Sequence, residues 1–209
     1  MKFISLVSSG IDSPVATYVI AKQNQQVILV HANNTPFSGS HEQEKFLSLA
    51  RHLHQQCPQI TTAILVPHGP ALHQFRQKAN NKFTCVFCKR MLVRYAEAFA
   101  HQHDCSGIIM GDSLGQVASQ TLYNLQVVES AITLPILRPL IGMDKLDVIE
   151  IAKDIGTYEL SIQSSEGCLA VPSKPSTHAK IEQLNDEEQK IDVEALVREA
   201  IENAEVISL

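Results

Sequence analysis

The fold is decided by residues 2–21, which run KFISLVSSGIDSPVATYVIA. Residues 2–7 form a short apolar run that predicts a buried strand, and residues 14–21 have the apolar spacing of a helix. The small polar residues between them, Ser8, Ser9 and Gly10, are typical of a tight loop. A strand, a tight loop and a helix in this order begin an α/β unit.

The same alternation continues along the chain. Further buried strands are predicted at residues 27–30, 61–66 and 107–110, and further helices at residues 42–53, 90–100, 117–128 and 144–155. Strands separated by helices predict a parallel sheet that is covered by helices on both faces. The predicted fold class is therefore α/β, with a Rossmann-like sheet.

The last part of the chain has a different pattern. From residue 182 acidic and apolar residues alternate without a further glycine, as at Val193, Leu196 and Ala200. This spacing indicates an amphipathic helix or a pair of helices. We expect residues 1–180 to form the catalytic domain and residues 181–209 to form a helical extension that packs on it. A helix that binds a partner is the alternative.

Composition places the chain among globular proteins. Hydrophobic residues make up 44% and charged residues 19% of its 209 residues, which excludes disordered and fibrous classes. Its apolar runs are far shorter than the ~20 residues that a membrane helix needs, and its first residues do not resemble an export signal. Five cysteines, an odd number, favour free thiols, a metal site or catalysis over a disulfide framework. We therefore expect a cytoplasmic protein without a membrane partner.

Residues 8–13 are suited to hold an anion at the end of the first strand. Their small side chains allow several backbone N–H groups to surround a phosphate, and the following helix adds the positive end of its dipole. The hydroxyls of Ser8, Ser9 and Ser13 add further donors. The spacing matches neither a Walker loop nor a G-x-G-x-x-G fingerprint, so those two nucleotide sites are not indicated. From these residues alone, a Ser/Gly turn before a helix is an equal alternative.

Five segments together resemble one family. Residues 8–13 resemble the S-G-G-x-D-S signature of the PP-loop ATP pyrophosphatases, and residues 8–16, SSGIDSPVA, are similar to the longer form in ThiI-type tRNA 4-thiouridine synthases. The other matching segments are CKRM at 88–91, GDSLGQVASQT at 111–121, RPLIGMDK at 138–145 and IGTY at 155–158. The resemblance covers about residues 1–180, and it implies a PP-loop fold that binds ATP.

The resemblance also implies roles for particular residues. Lys145 matches a lysine that is required for adenylation, where its charge would stabilise the α-phosphate under attack. Asp12 would position Mg²⁺ or steer the departing pyrophosphate. The backbone at His31 and Ala32 would bind the adenine edge. Further nucleotide contacts are expected at Val7, Ser8, Ser9, Gly10, Asp12, Ser13, Lys89, Arg90, Gly111 and Gln120, with RNA as an alternative ligand of Lys89 and Arg90.

Three cysteines suit one sulfur site. Cys85 and Cys88 form a C-x-x-C pair, and Cys168 lies in a later loop. Structural zinc sites use four protein ligands, whereas a [4Fe–4S] cluster held by these three would leave one iron open to bind sulfide. The resemblance to family members that have this cysteine pattern and no rhodanese domain supports a cluster. Buried small side chains, a redox dithiol and a persulfide on Cys168 are the alternatives, and Cys57 and Cys105 are assigned to structure.

Two departures from the family pattern affect these expectations. Ser9 stands where the family has a second glycine, so its Cβ should reshape the pyrophosphate contact without abolishing it. Family members also carry an N-terminal THUMP region that grips tRNA, whereas the first strand here begins at Lys2. With a net charge of −5, the chain alone should capture tRNA weakly. A separate THUMP-type partner, or a homodimer that joins basic patches near Lys89, Arg90 and Arg94, would improve capture.

The sequence thus predicts an ATP-dependent sulfurtransferase. ATP and Mg²⁺ would adenylate a carbonyl oxygen of a nucleobase, the leading candidate being a uridine in tRNA. Sulfur from sulfide or another donor would replace that oxygen and give 4-thiouridine. Asp12, Lys145 and Cys168 are the predicted catalytic residues, and Cys85, Cys88 and Cys168 the predicted cluster ligands. A small molecule or free base as acceptor, and a non-catalytic nucleotide-binding module, are the alternatives.

Overall fold

The structure of the chain is a computed structural model that describes residues 1–39, 41–164 and 167–209. Within these residues a central sheet has six strands. The strands are β1 (Lys2–Leu6), β2 (Gln26–Asn33), β3 (Ile60–Pro67), β4 (Ile108–Met110), β5 (Ile136–Leu137) and β6 (Glu205–Ser208). The strands predicted at residues 2–7, 27–30, 61–66 and 107–110 are present as β1 to β4, with ends that differ by up to three residues.

The strand order in the sheet is β5-β4-β1-β2-β3-β6. β1 pairs in parallel with β2 and β4, while β3 and β5 pair in parallel with β2 and β4 respectively. The first three strands extend the sheet in one direction, whereas β4 returns to the other side of β1. The direction of growth therefore reverses between β1 and β4, and in such sheets ligands bind in the crevice at this position.

Helices connect the strands on both sides of the sheet. The α-helices are α1 (Asp12–Ala21), α2 (His41–Gln56), α3 (Gly69–Lys78), α4 (Thr84–Gln102), α5 (Leu122–Glu129), α6 (Lys145–Asp154), α7 (Tyr158–Ser161), α8 (Ile181–Glu188) and α9 (Val193–Glu202). Two short 3₁₀ helices span Asn81–Phe83 and Ala118–Gln120. None of the helices in the described ranges is long and apolar enough to cross a membrane.

Alternate residues of the strands enter two separate cores. Ile4, Ile28 and Ile64 pack on one face of the sheet with buried residues of α3, α4, α5, α8 and α9. Phe3 and Leu29 pack on the other face with buried residues of α1, α2 and α6. This period of two is that of strands covered on both faces. The predicted α/β sheet with helices on both faces is confirmed.

The C-terminal segment differs from the prediction at its end. α8 and α9 are helical, and they bury Leu184 and Ala200 in the first core. The chain then forms β6, which pairs antiparallel with β3. β6 contains only two apolar residues, Val206 and Ile207, and this run is too short to predict a strand. The expected helical extension is therefore corrected to two helices followed by an edge strand.

Candidate active site

A pocket opens at the carboxyl ends of β1, β2 and β4, where the growth of the sheet reverses. Its lining includes residues 6–13, 30–32 and 110–112 together with Glu42, Cys88, Lys89, Gln120 and Cys168. These include every predicted nucleotide-binding residue except Arg90. The position of the pocket follows from the strand order, because the loop after β1 and the loop after β4 diverge to opposite faces of the sheet.

The loop after β1 is closed on itself by one serine. Ser13 Oγ accepts a hydrogen bond from the Ser8 backbone N–H at 2.8 Å and lies 3.0 Å from Ser8 Oγ. Ile11 precedes α1 and provides no side-chain hydrogen bond to the first backbone N–H groups of the helix. Those N–H groups lie at the end of this ten-residue helix that is next to the pocket, and they are available to an anion.

Ser9, which replaces a glycine of the family pattern, contacts an acidic residue across the pocket. Its hydroxyl donates a hydrogen bond to the carboxylate of Glu42 in the first turn of α2. Both residues line the pocket. The effect of the substitution is therefore more than an added Cβ: a carboxylate is held beside the loop that is predicted to bind phosphates.

Asp12 and Lys145 form an ion pair at the edge of the pocket. Asp12 lies in the first turn of α1 and lines the pocket, and the Lys145 ammonium at the start of α6 pairs with its carboxylate. Asp144 fixes the start of α6, because its side chain accepts a hydrogen bond from the Leu146 N–H at 2.8 Å. Two residues 133 positions apart in sequence are thus brought to one place.

Gly111 at the end of β4 lies directly against the start of α1. A Cβ added at Gly111 would lie 2.7 Å from both the backbone N and the Cα of Ser13. Such a contact cannot be accommodated without moving backbone. Gly111 therefore sets the distance between β4 and the loop at residues 8–13, rather than offering a side chain to a ligand.

Replacing Gly111 with alanine should displace this loop. We expect a loss of about 1–3 kcal/mol in the free energy of unfolding from overpacking, and a loss of ATP affinity of tenfold or more because the loop carries the phosphate contacts. Urea unfolding and calorimetric ATP titration measure the two effects. Gly142→Ala is the matched control, since an added Cβ there meets nothing within 4 Å. Unchanged ATP affinity in Gly111→Ala would contradict the assignment.

His31 is held by its side chain at the end of β2. Its Nδ1 lies 2.8 Å from the carbonyl oxygen of Val7, and its ring stacks on Phe46 with 4.4 Å between centroids. Burial lowers the pKa of His31, although the Val7 carbonyl and Glu42 oppose the shift. The imidazole therefore joins the ends of β1 and β2 and leaves the backbone of His31 and Ala32 on the pocket wall.

The segment after β4 carries a charged network into the pocket. Lys89 on α4 donates to Asp112 at 2.6 Å, and Arg138 donates to the other carboxylate oxygen of Asp112 at 3.3 Å. Asp112 is only 3% exposed, so both cations are held close to a buried carboxylate. Farther along, Asn124 Nδ2 donates to the Ala118 carbonyl at 2.7 Å, which holds the short helix that carries Gln120.

Arg90 is not part of the pocket, and its predicted contact with nucleotide or RNA is wrong. Its guanidinium is buried and donates to both carboxylate oxygens of Glu188 on α8, at 2.7 and 2.9 Å. It also donates to the Val127 carbonyl at 2.7 Å. Successive residues on a helix project about 100° apart. Lys89 therefore faces the pocket while the next residue faces the C-terminal helices.

Three cysteines lie near the pocket. Cys88 and Cys168 line it, and Cys85 is one turn before Cys88 on α4. Burial, together with neighbouring Cys168 and Cys85, raises the pKa of Cys88 to about 12 against the opposing charge of Lys89. Burial and Cys168 also raise the pKa of Cys85, against the opposing charge of Lys89. The three thiols therefore lie within electrostatic reach of one another.

The loop of Cys168 is anchored on two sides. The Leu169 N–H donates to the Phe37 carbonyl at 2.7 Å, and Thr121 Oγ1 donates to the Thr177 carbonyl at 2.7 Å. In the described part of the chain, no group of three or more His, Cys, Asp or Glu side chains is arranged to hold a metal ion. The described residues therefore bring the three thiols within electrostatic reach of one another, but they do not form a ligand set for a metal ion.

Four further residues at or near the site are not predicted from sequence: His68, Glu42, Asp112 and Arg138. His68 is completely buried, and its ring nitrogens contact Tyr95 and Cys88. Asp112 lies inside the motif segment 111–121, and an acidic residue directly after the predicted strand at 107–110 is a local signal for a polar site. Glu42 and His68 have no local signal, because each reaches the site only through long-range packing.

The fold and the pocket define the class of protein as a PP-loop domain. The chain superposes with a TM-score of 0.95 on a 4-thiouridine synthetase crystallised with RNA and bound ATP, at 32% identity and over 100% of this chain and 55% of that chain. NMN synthetase from Francisella tularensis gives a TM-score of 0.58 at 16% identity, over 95% of this chain and 81% of that one, which is a likeness of fold alone.

Sequence comparison identifies the family. The protein-family model described as "Thiamine biosynthesis protein (ThiI)" matches residues 1–193, and the chain belongs to this ThiI family. A probable tRNA sulfurtransferase of Methanosarcina mazei is 39% identical over 210 residues, covering 100% of this chain and 52% of the relative. One from Methanobrevibacter smithii is 42% identical over 186 residues, covering 88% and 49%. The chain thus spans about half the length of these curated relatives.

Proposed function

We propose that this chain is the ATP-dependent catalytic domain of a tRNA sulfurtransferase that makes 4-thiouridine. One observation carries the proposal: the loop at residues 8–13 and two of the predicted sulfur-site thiols, Cys88 and Cys168, line the same pocket. A base that is activated at this loop would lie within reach of the sulfur that replaces its oxygen. The similarity to probable tRNA sulfurtransferases, and to a 4-thiouridine synthetase with RNA and ATP, supports the choice of substrates.

The first step is adenylation of uridine. Its O4 attacks the α-phosphorus of ATP, the bond from that phosphorus to the bridging oxygen breaks, and pyrophosphate leaves while N3 gives up its proton to water. The N–H groups at the start of α1 and the hydroxyls of the loop would bind the phosphates. Lys145 would stabilise the charge that builds on the α-phosphate. The carboxylate of Asp12 is a hard oxygen ligand suited to Mg²⁺, which would supply charge neutralisation for the leaving pyrophosphate.

The second step exchanges oxygen for sulfur. Hydrosulfide adds to C4 of the adenylated base, the bond from C4 to oxygen breaks, and AMP leaves with that oxygen. The proton on sulfur then moves to N3, which gives the thione form of 4-thiouridine. The chain's contribution here is to hold the activated carbon beside Cys88 on the pocket wall.

We further propose that Cys85, Cys88 and Cys168 hold a [4Fe–4S] cluster. Three free thiols within electrostatic reach fit this cluster in type and number of donors. When bound, the cluster would supply an open iron site for sulfide. Cys57 and Cys105 lie outside the pocket lining, and burial raises the pKa of each thiol. They are suited to a structural role.

Cysteine variants test this assignment directly. Cys85→Ser, Cys88→Ser and Cys168→Ser should each lose most of the bound iron and the visible absorbance after anaerobic reconstitution, because each removes one ligand of three. Cys57→Ser and Cys105→Ser are the matched controls and should keep both. Iron and sulfide counts with an absorbance spectrum measure the outcome. A colourless wild-type chain, or stoichiometric zinc, would overturn the cluster and favour a persulfide on Cys168.

Capture of tRNA is proposed to need more than this chain. Its net charge of −5 leaves few cations to neutralise phosphates, and Arg90 and Arg94 are both committed to Glu188. The basic patch predicted near Lys89, Arg90 and Arg94 is therefore weaker than expected. We propose that a THUMP-type region or partner provides most of the RNA contacts, while a homodimer stays a prediction.

The proposed function is tested by its product. The chain is incubated anaerobically with ATP, Mg²⁺, sulfide and tRNA that lacks 4-thiouridine, with and without a THUMP-type RNA-binding protein, and the digested tRNA is analysed by mass spectrometry. We expect 4-thiouridine that depends on ATP. Thiolation of free uracil or of a small molecule in place of tRNA would refute the acceptor. No thiolated product with any acceptor would refute the activity.

A further inference from the structure

A positively charged loop leads away from the pocket. Residues 168–180 begin at Cys168, which lines the pocket, and end where α8 begins. The loop carries Lys174, His178 and Lys180, and all three are exposed. No aspartate or glutamate occurs in residues 168–180. The loop therefore presents positive charge directly beside the site.

A buried asparagine fixes the backbone of this loop. Asn124 on α5 is 0% exposed, its Nδ2 donates to the Ser176 carbonyl at 2.8 Å, and its Oδ1 accepts from the Ala179 N–H at 2.9 Å. The Ser176 N–H donates in turn to the Lys82 carbonyl at 2.9 Å. The loop is thus held against α5 and against the short helix before α4. A surface that is held in place in this way loses little conformational entropy when it binds a ligand.

An aromatic pair lies on the same surface. The rings of Tyr123 and His178 stack with 3.7 Å between centroids and an angle of 30° between their planes. Tyr123 is 54% exposed, and His178 is exposed as well. Gln120, three residues before Tyr123, lines the pocket. The pair therefore offers aromatic surface for a nucleobase close to the pocket mouth.

The cations around this pair differ from those at the pocket in their partners. Lys89 and Lys145, the lysines at the pocket, are both paired with an aspartate. No ion pair between described residues includes the cations near the aromatic pair, which are Arg76, Lys82, Lys174 and Lys180. The nearby carboxylate of Glu187 interacts with Lys82 electrostatically, but its ion pair, at 2.6 Å, is with Lys190. These cations can thus bind phosphates without first leaving a carboxylate.

Arg76 belongs to this surface through the loop. Its Nη1 donates to the Leu169 carbonyl at 3.5 Å, which places the guanidinium next to the residue after Cys168. The exposed cations therefore extend along the loop from the pocket edge to the start of α8. Stacking aromatic side chains and a row of cations are the two features with which proteins bind single-stranded nucleic acids.

We propose that an aromatic-basic surface, made of Arg76, Lys82, Tyr123, Lys174, His178 and Lys180, binds single-stranded RNA. A base next to the target nucleotide stacks on Tyr123 and His178, and the four cations contact the flanking phosphates. The purpose of this surface rests on the proposed function, in which an RNA base enters the pocket. An acidic protein segment fits less well, because its carboxylates would use the cations and leave the aromatic pair without a partner.

The test separates stacking from charge by their different responses to salt. Binding of a short fluorescein-labelled oligouridine is followed by fluorescence anisotropy from low to moderate salt, without ATP, metal or sulfide. Tyr123→Ala should weaken binding at least fivefold and leave the salt dependence unchanged, while Tyr123→Phe stays within twofold of wild type. The combined Lys82→Ala, Lys174→Ala and Lys180→Ala variant should reduce the slope of log Kd against log salt by about 2, from ~0.7 for each phosphate.

A matched variant controls for net charge. Lys22→Ala, Lys153→Ala and Arg198→Ala together remove the same charge from exposed positions elsewhere and should leave the slope unchanged. If Tyr123→Ala does not fold, ultraviolet crosslinking of wild type to oligo-5-iodouridine replaces it, and the crosslinked peptide should contain Tyr123 or His178. Crosslinks confined to other segments would count against the surface.

Three results would overturn the proposal: no binding of oligouridine at low salt, an equal loss in the control variant, or unchanged affinity in Tyr123→Ala. In the last case, displacement of the probe by polyglutamate would indicate an acidic protein partner instead. No step of the test involves catalysis. A chain that binds RNA here and makes no 4-thiouridine would refute only the proposed function, whereas thiolation of tRNA with unaltered RNA binding by the variants would refute only this surface.

Discussion

Replacing Lys145 with alanine should reduce pyrophosphate release by a factor of about 10² to 10³. The ammonium pairs with Asp12 at the edge of the pocket, so it lies where charge builds as the α-phosphorus is attacked. Its side chain is 40% exposed, and an ion pair of this kind contributes only about 0–1 kcal/mol to folding. The rate should therefore fall while the melting temperature stays near that of the wild type.

Lys153→Ala is the control for this variant, because Lys153 is an exposed lysine in the last turn of the same helix. Pyrophosphate release is followed with a coupled assay under saturating ATP and acceptor, and unfolding by circular dichroism. Normal turnover by Lys145→Ala would show that the catalytic cation has been misassigned. A large drop in melting temperature would indicate that the Asp12 pair is structural.

Replacing Glu188 with alanine should cost about 3–5 kcal/mol of the free energy of unfolding. Its carboxylate accepts from Arg90 and from Arg94, at distances between 2.7 and 2.9 Å. Without it, two guanidiniums are left in a largely buried site with no carboxylate. Because α8 is tied to α4 only a few residues from Cys88, the loss should also loosen the packing behind the pocket.

The ion pairs of Glu188 with Arg90 and Arg94 should also make the free energy of unfolding depend on pH. Burial alone would raise the pKa of Glu188, but Arg94 and Arg90 outweigh burial and hold the pKa below its usual range. A group whose folded pKa is depressed stabilises the chain above its unfolded pKa and loses that contribution as the pH falls through the folded value. Wild type should therefore lose more stability than Glu188→Ala as the pH falls below about 4.5.

Asp186→Ala is the control for these measurements, since Asp186 is exposed on the same helix and should change the free energy of unfolding by less than about 0.5 kcal/mol. Urea unfolding at several pH values gives both effects. If Glu188→Ala were as stable as Asp186→Ala, the buried network would not be structural. If Arg90→Ala lost ATP binding without losing stability, Arg90 would contact the nucleotide, as its sequence position predicts.

What could be predicted from sequence was local. Residues 2–21 carry a strand, a loop and a helix in consecutive positions, so the pocket loop and the direction of the sheet follow from apolar spacing alone. The motif segments, which are separated by tens of residues, add the pocket wall at Gly111 and the lysine at position 145. In a parallel sheet the carboxyl ends of the strands lie at one edge, so the loops that carry these residues meet there.

What could not be predicted depends on contacts between distant parts of the chain. Arg90 adjoins Cys88 and Lys89 in sequence, yet its partner lies 98 residues away, and only the rotation of α4 decides which of the three faces the pocket. His68 reaches Cys88 through the packing of α3 on α4, which no periodicity shows. β6 joins the sheet edge with only two apolar residues, so its sequence does not distinguish it from a loop.

Under the proposed function, this pocket cleaves ATP between the α- and β-phosphates to activate a base. The direct test supplies ATP labelled at the α-phosphate, Mg²⁺, tRNA that lacks 4-thiouridine and a THUMP-type RNA-binding protein, and withholds sulfide. We expect label to be transferred to tRNA, with one pyrophosphate released for each label incorporated, and both products to fall by a factor of about 10² to 10³ in Lys145→Ala. Formation of ADP and phosphate, or release of AMP and pyrophosphate without any label on tRNA, would contradict it.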